Sequence, residues 1–520
     1  MSTVTDEPRR VDLSRVNLDD LAVKSDAELA EIERSVADSP YYNRDLAPAG
    51  PSRRTWSTWN ITAMWIGMSV VITTYTLASG LMAAGMNWWQ ALVTITLGNV
   101  IVLIPMVLNA HAGTRYGIPF PVFVRASFGI RGANFAALAR ALVACGWFGI
   151  QTWLGGLALD ALTTQIWSGW SDLGWHRAIA FMVFWAFQVA IIWRGIEAIK
   201  ILESWAAPLL LAGGAVVLIW AFAKVGSVSE PFDTANQAKL VNAGPGFWTL
   251  FWPALAANVG YWATLSLNIP DFTRFAQSQR SQFTGQVIGL PLTMAAFSFI
   301  GIATTAATVI LYGEAIWDPV ALMNRIGSTG AIIFAMIVIV AAQVTTNMAA
   351  NVVAPSNDFS NLSPRRISFR TGGIITALIG IAMFPWAIID NLSAYIFTWL
   401  VGYGSLLGAI AGVMITDYWV LRREHLELSE LYSANPRGRY WYSNGFNWRA
   451  LVAVVVAVAP AVPGFIRAAT TEGGVVANPD ILDRFYTYGF GFTFLVAAVL
   501  YFVLMRVSAP SREPALGRAT

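Results

Sequence analysis

Charge, cysteine and histidine are all scarce in this sequence. Only 12% of its 520 residues are Asp, Glu, Lys or Arg, where a soluble domain carries about 25%. Poverty on that scale, spread over the whole length, excludes an ordinary soluble protein. It does not signal disorder either, because disorder pairs low hydrophobicity with high charge, and here 56% of residues are hydrophobic. The single cysteine, Cys145, excludes a disulfide framework and any cysteine-based metal site. The three histidines, His111, His176 and His425, fall in different segments and form neither a metal site nor an acid–base pair. No G-x-x-x-x-G-K-S/T stretch occurs, so there is no P-loop for ATP, and coupling to an ion gradient is expected. Neither paired membrane carboxylates nor a filter-like repeat is present, which argues against a proton pump and a channel. No nucleophile–base set points to an enzyme, no organic cofactor is implied, and a net charge of +3 is too small to suggest a nucleic-acid partner.

What is abundant points one way. Tryptophan (23) and glycine (43) are plentiful, and membrane proteins place Trp at interfaces and tolerate Gly inside helices. A helix crossing the hydrocarbon needs about 20 mostly apolar residues. Twelve stretches qualify: 57–84, 89–109, 134–164, 178–193, 201–223, 246–267, 287–312, 331–353, 372–390, 393–416, 448–466 and 485–505, the ninth and tenth parted only by Asn391 and its neighbours. The expectation is an all-α integral membrane protein. Residues 1–55 are polar and acidic with no apolar h-region, and read as a cytoplasmic N-terminal tail, not a signal peptide. Residues 56–416 hold spans one to ten, 417–447 a cytoplasmic loop, 448–507 spans eleven and twelve, and 508–520 a C-terminal tail. With both termini inside, the loops between spans and the C-terminal tail on that side hold 18 Lys and Arg, against six outside. That is the expected cytoplasmic excess, and it places the chain in the cell membrane with both ends cytoplasmic.

Span one carries Gly67 and Ser69 at its centre, and span six carries Pro253, Asn258 and Gly260 in one stretch. Backbone polar groups in lipid must be paired, so interrupted helices imply a protein-lined or wet cavity. Breaks in the first members of two five-span blocks point to an inverted-repeat transporter with its site at the midplane. The same glycines would also suit close helix packing.

Three clusters of side chains stand at membrane depth. On span three, Trp147 and Gln151 are four apart and share a helix face. A flat indole beside a carboxamide suits a planar heterocycle or cyclic amide and suits a charged ligand poorly; an interfacial Trp with an inter-helix Gln is the other reading. On span eight, Gln343, Asn347 and Asn351 recur every four residues as a polar stripe, with Thr345 and Thr346 in another sector. Such groups are costly in lipid and face the interior or one another. Neutral hydroxyls with backbone carbonyls also form a seat for a hard monovalent cation, inter-helix hydrogen bonding being the alternative. The charges Arg140, Glu203 (three residues after Lys200), Asp271 and Arg274 read as structural or gating groups, Arg140 by snorkelling to the membrane face.

Several segments carry a resemblance. Ser39-Pro-Tyr-Tyr-Asn43-Arg-Asp45-Leu-Ala-Pro48, Gly85-Met-Asn-Trp-Trp-Gln-Ala-Leu92, Tyr116-Gly-Ile-Pro-Phe-Pro121, Arg125-Ala-Ser-Phe-Gly-Ile-Arg-Gly-Ala-Asn134, Trp147-Phe-Gly-Ile-Gln-Thr-Trp-Leu-Gly155, Leu267-Asn-Ile-Pro-Asp-Phe-Thr-Arg274 and Ile415-Thr-Asp-Tyr418 resemble the first nucleobase–cation symporter family, nearest its allantoin and uracil permeases. The likeness runs in order from about residue 39 to residue 440. It implies a LeuT-type fold, two inverted five-helix repeats plus two C-terminal helices, working by alternating access. The family's stacking Trp and carboxamide fall on Trp147 and Gln151, and its substrate-binding Asn on Asn351. Its span-six aromatic falls on Trp262 or, with a shift of one residue, Tyr261. In sodium-coupled members the cation ligands correspond to Gly67, Val70, Ala342, Thr345 and Thr346. Hydantoin permease has a Gln where this chain has Val71, so one substrate hydrogen bond is missing, which counts against hydantoin itself. The resemblance thus implies import of a neutral planar nitrogen compound such as allantoin or uracil, with Na+ or H+ as coupling ion and the lipid bilayer and a small molecule as partners of a monomer. A cytosine or purine symporter, or a non-concentrating channel or sensor, is the alternative.

Overall fold

The computed structural model describes residues 13–194, 196–240, 246–316, 321, 322, 325, 329–389, 395–472, 474–476 and 478–508, with the side chains of 196–205, 240, 331, 388, 389 and 395 left aside. Asn391 and most of the C-terminal tail therefore lie outside the described residues, as do the side chains of Lys200 and Glu203. Among the described residues every regular element is helical, and pairing of the strand kind is limited to two isolated bridges, Trp56 with Ala276 and Ser443 with Phe446. Among the described residues nine helices are long and apolar enough to cross a bilayer: Trp88–Tyr116, Ala133–Ile166, His176–Arg194, Ala206–Val225, Gln279–Tyr312, Ile332–Leu362, Ile396–Leu421, Trp448–Thr470 and Gly489–Val507. The bent pair Thr58–Ser69 and Ile72–Ala83 supplies span one. The pair Phe247–Tyr261 and Ala263–Asn268 supplies span six, and Phe369–Ala382 span nine. Side-chain caps set the register where spans begin: Ser57 and Asn60 close a reciprocal capping box at span one, and Asn87 and Gln90 another at span two.

Packing between spans shows the repeat. The first half of span one packs on spans five, seven and eight, and the first half of span six packs on spans two, ten and twelve. Exchanging one for six, two for seven and five for ten turns the core of one contact set into the other. Of the two remaining pairs of counterparts, spans three and eight pack along each other, and spans four and nine also touch.

Both interruptions are present, but not on the residues that flagged them. Span one bends by 57° at Val70 and Val71, past Gly67 and Ser69. Span six breaks at Trp262, whose backbone (φ −107°, ψ 9°) leaves the helix directly after Gly260 and Tyr261. Pro253 is the seventh residue of the unbroken first half, where its ring removes the hydrogen bond to the Thr249 carbonyl without ending the helix. Gly260 serves close packing as well as the turn: a Cβ there would meet the Leu400 carbonyl of span ten at 2.4 Å. Span seven begins at Gln279, eight residues before its apolar run, because Ser278 caps it within protein.

The N-terminal segment is docked, not loose. Helix Asp26–Val36 buries Leu29 and Val36. Gln279 N–H donates to Asp20, Arg274 donates to the Asp45 carbonyl, and Phe369 N–H donates to the Asp45 carboxylate. One strap thereby ties together the ends of spans six, seven and nine. Span ten runs on to Leu421, past its expected end, where the buried Arg422 pairs with Asp417 at 2.6 Å.

Candidate functional site

Where the two broken spans meet spans three and eight, a cavity of about 20 Å³ is lined by Met68, Trp147, Gln151, Tyr261, Trp262, Thr264, Leu265, Thr346, Ala350 and Asn351. All five side chains expected to hold substrate are among them. The space accommodates about one water and no ring, so in this conformation the site is closed around itself. Every lining side chain is neutral.

The aromatic walls are set edge to face. Trp147 and Tyr261 have ring centroids 5.2 Å apart at 76°, and Tyr261 and Trp262 lie 4.9 Å apart at 81°. Trp147 is pinned by its indole N–H, which donates to the Tyr403 hydroxyl of span ten at 3.0 Å. Tyr261 is pinned by Thr73 and Thr74, whose hydroxyls lie 2.7 and 3.1 Å from its own. Gln151 Nε2 donates to the Thr73 hydroxyl at 3.2 Å, and among the described residues its Oε1 has no partner. Trp262, 3% exposed, likewise has an indole N–H with no partner among the described residues. Of the two aromatics between which the alignment did not choose, Tyr261 is committed to span one and Trp262 carries the unspent donor.

The stripe on span eight turns toward span three, as its spacing requires. Asn347 is the hub: its Nδ2 reaches the Phe148 carbonyl and the Thr152 hydroxyl at 3.1 Å and the Gln188 Oε1 at 2.6 Å. Its Oδ1 accepts from Asn351 at 3.0 Å, orienting that amide at the cavity. Gln343 donates to the Gln151 backbone carbonyl at 3.4 Å.

The other sector of span eight faces span one. Thr346 donates to the Gly67 carbonyl at 2.9 Å, and Thr345 donates to the Ala342 carbonyl at 3.0 Å. The bend explains why these carbonyls are available. In a continuous helix Val71 N–H would bond Gly67 and Thr74 N–H would bond Val70; here they go to Ser69 and Val71. Val70 and Ala342 lie in one apolar cluster. Among the described residues no three His, Cys, Asp or Glu gather as metal ligands. The oxygens of Gly67, Val70, Ala342, Thr345 and Thr346 are neutral and hard, and fit a monovalent cation of the sodium type.

Several participants escaped the sequence reading. Thr73, Thr74, Tyr403, Thr152 and Gln188 lie on four different spans, and no spacing signal marks them. Arg140 is a structural group, as expected, but it is not held at the membrane face. It does not snorkel: fully buried, it donates to Asn268 Oδ1 and the Ala350 carbonyl at 3.1 Å each and lies 3.8 Å from Asp358. Surrounding protein supplies the partners that water at the membrane face would otherwise have given.

A neutral cleft at the crossing of two broken helices, inside an inverted repeat, is the construction of a membrane-embedded secondary transporter, not an enzyme. Residues 48–488 match the family of permeases for cytosine/purines, uracil, thiamine and allantoin, and the chain belongs to that family. It is 41% identical over 484 residues to a purine-uracil permease of Arabidopsis thaliana, covering 91% of this chain and 79% of that one. It is 37% identical over 484 residues to the allantoin permease of Bacillus subtilis, covering 90% and 94%. Among solved structures it is similar to Mhp1, a nucleobase-cation-symport-1 family transporter in a closed conformation with bromovinylhydantoin bound, with TM-score 0.73 and 28% identity over 90% of this chain and 96% of that one. The fold is thus LeuT-type.

Proposed function

We propose that this permease imports a neutral, planar, amide-rich nitrogen compound of the allantoin or uracil kind across the cell membrane, together with a cation. The carrying observation is the cavity itself: an unspent acceptor on Gln151, an unspent donor on Trp262 and the oriented amide of Asn351 gather between aromatic faces, with no charge among them. A ring bearing both N–H and C=O groups satisfies all three. A charged ligand would enter uncompensated, and a ligand lacking one of these groups leaves a buried partner unpaired at about 1–3 kcal/mol.

In this reading, substrate stacks on Trp147, is flanked by Trp262 with Tyr261 behind it, and bonds Gln151 and Asn351. Na+ seats on the oxygens of Gly67, Val70, Ala342, Thr345 and Thr346, joining span one to span eight. The excess of Lys and Arg places the end carrying the N-terminal strap in the cytoplasm. The closed site requires rigid-body movement of spans one and six relative to three and eight for each opening. The relatives' names support the substrate class, and the neutral oxygen set supports Na+ over a proton as the driving ion.

Accumulation of labelled uracil or allantoin against its gradient in proteoliposomes tests the transport claim; mere equilibration identifies a channel, and binding without flux a sensor. Replacing external sodium with choline at fixed pH tests the ion: unchanged accumulation removes the sodium assignment.

A further inference from the structure

Beneath the cavity, toward the strap, lies a buried charge cluster that the substrate and cation sites do not use. Asp358 sits two turns beyond Asn351, in the continuation Val353–Leu362 of span eight, and Arg140 two turns before Trp147 on span three. Asp271 follows span six. Asp358, Asp271 and Arg140 are all essentially inaccessible. Asp271 Oδ1 accepts hydrogen bonds from Asn357 at 2.8 Å and the Phe120 N–H at 3.3 Å, donors that favour its ionised form. Among the described residues Asp358 has none: neither carboxyl oxygen has a hydrogen-bond partner, and Arg140 Nη1 stands 3.8 Å away without a hydrogen bond of its own. Arg140 spends its other nitrogens on Asn268 and Ala350.

Among the described residues no second cation faces Asp358. Facing Asp358 are Arg140 and Cys145 from span three and Asp271 from beyond span six. Arg274 faces Asp271. Residues 44–46 bring Asp45, engaged by Phe369 N–H, with Arg44 exposed. Helix Phe120–Phe123 contains no titratable side chain, and span nine brings only Arg370, which is exposed. Arg125, from the helix Arg125–Phe128, is spent on Asn361 and the Leu431 carbonyl. Two carboxylates thus share the cluster with two buried guanidiniums, but Arg274 serves Asp271, and Asp358 has only Arg140 at 3.8 Å and no donors, so it is the costlier of the two to leave charged.

We propose that Asp358 is a proton-binding site, which holds a proton while the cytoplasmic end is closed and releases it to water when that end opens. Arg140 links this event to the substrate site. Its bonds to Ala350, a cavity residue next to Asn351, and to Asn268, three residues past the cavity residue Leu265, join spans three, six and eight directly below the cavity. The closed form therefore binds one proton more than the inward-open form. By linkage, acid favours closure and alkalinity favours inward opening, up to about tenfold in the equilibrium per pH unit.

The first test is infrared spectroscopy of the purified protein without substrate. The carbonyl stretch of a protonated carboxylic acid is expected near neutral pH, lost in Asp358→Asn and retained in Asp271→Asn. Its absence from the wild type, or its survival in Asp358→Asn, overturns the proposal. The second is the pH dependence of inward opening, followed by a fluorophore on the cytoplasmic end of span six. The wild-type equilibrium is expected to move up to about tenfold per pH unit, and Asp358→Asn to be flat; equal slopes overturn the link to opening. Should Asp358→Asn not fold, the wild-type and Asp271→Asn spectra still decide. The link to opening rests on alternating access, whereas the infrared readout needs no transport, so failure of either is told apart by the accumulation experiment.

Discussion

Replacing Asn347 by Ala separates positioning from contact in the substrate site. Asn347 does not line the cavity, but it holds Asn351 through one hydrogen bond and ties span eight to Phe148, Thr152 and Gln188 through its amide. Three donor contacts vanish within the bundle. At roughly 0.6 kcal/mol per hydrogen bond in a membrane interior, the loss of fold stability is about 2 kcal/mol. The effect on binding is smaller, because Asn351 keeps its amide and loses only its orientation. One net hydrogen bond, roughly 0.6–1.5 kcal/mol, corresponds to about 3- to 12-fold in Kd. Asn351→Ala removes the contact itself and leaves a ligand group unpaired, at about 1–3 kcal/mol, or roughly 5- to 150-fold. Binding of labelled substrate to purified protein measures both, and thermal unfolding in detergent measures the stability term. The ordering is the prediction: Asn347→Ala is the more destabilised and the less impaired in binding. Wild-type affinity in both variants, or a greater binding loss in Asn347→Ala than in Asn351→Ala, refutes this account of the stripe.

Three further outcomes are expected. Trp147→Ala and Asn351→Ala abolish uptake in proteoliposomes while membrane expression stays normal; wild-type uptake in both removes the site assignment. Thr346→Val deprives the Gly67 carbonyl of its partner and the cation of a ligand, raising the sodium concentration for half-maximal uptake roughly tenfold, about 1.4 kcal/mol; an unchanged sodium curve rejects the cation site. Gly260→Ala drives a methyl to 2.4 Å from the Leu400 carbonyl, so spans six and ten are pushed apart at about 1–3 kcal/mol. The melting temperature falls and uptake is lost; a variant that melts and transports as wild type shows that this approach does not matter.

The site was legible where polarity at membrane depth is conspicuous. Trp147 and Gln151 four apart, and Asn347 and Asn351 four apart, announce two faces because lipid tolerates no idle amide. That Thr346 would meet Gly67 was not legible, since it depends on Val70 and Val71 leaving the helix. Nor was the place of either break: glycine and proline mark tolerance for a turn, while packing decides which neighbouring residue takes it. Arg140 shows the limit most clearly. Its distance from the end of span three fits snorkelling as well as burial, and only Asn268, Ala350 and Asp358, each over a hundred residues away, settle the matter.

Composition and hydrophobic run length determined by themselves that the chain lives in a bilayer and where its polar faces fall, because those properties depend on each segment meeting lipid alone. Tertiary structure decided which carbonyls the bend releases, which of Tyr261 and Trp262 keeps a free donor, and which carboxyl is left without one. Those depend on distances between segments far apart along the chain, and no local periodicity encodes them.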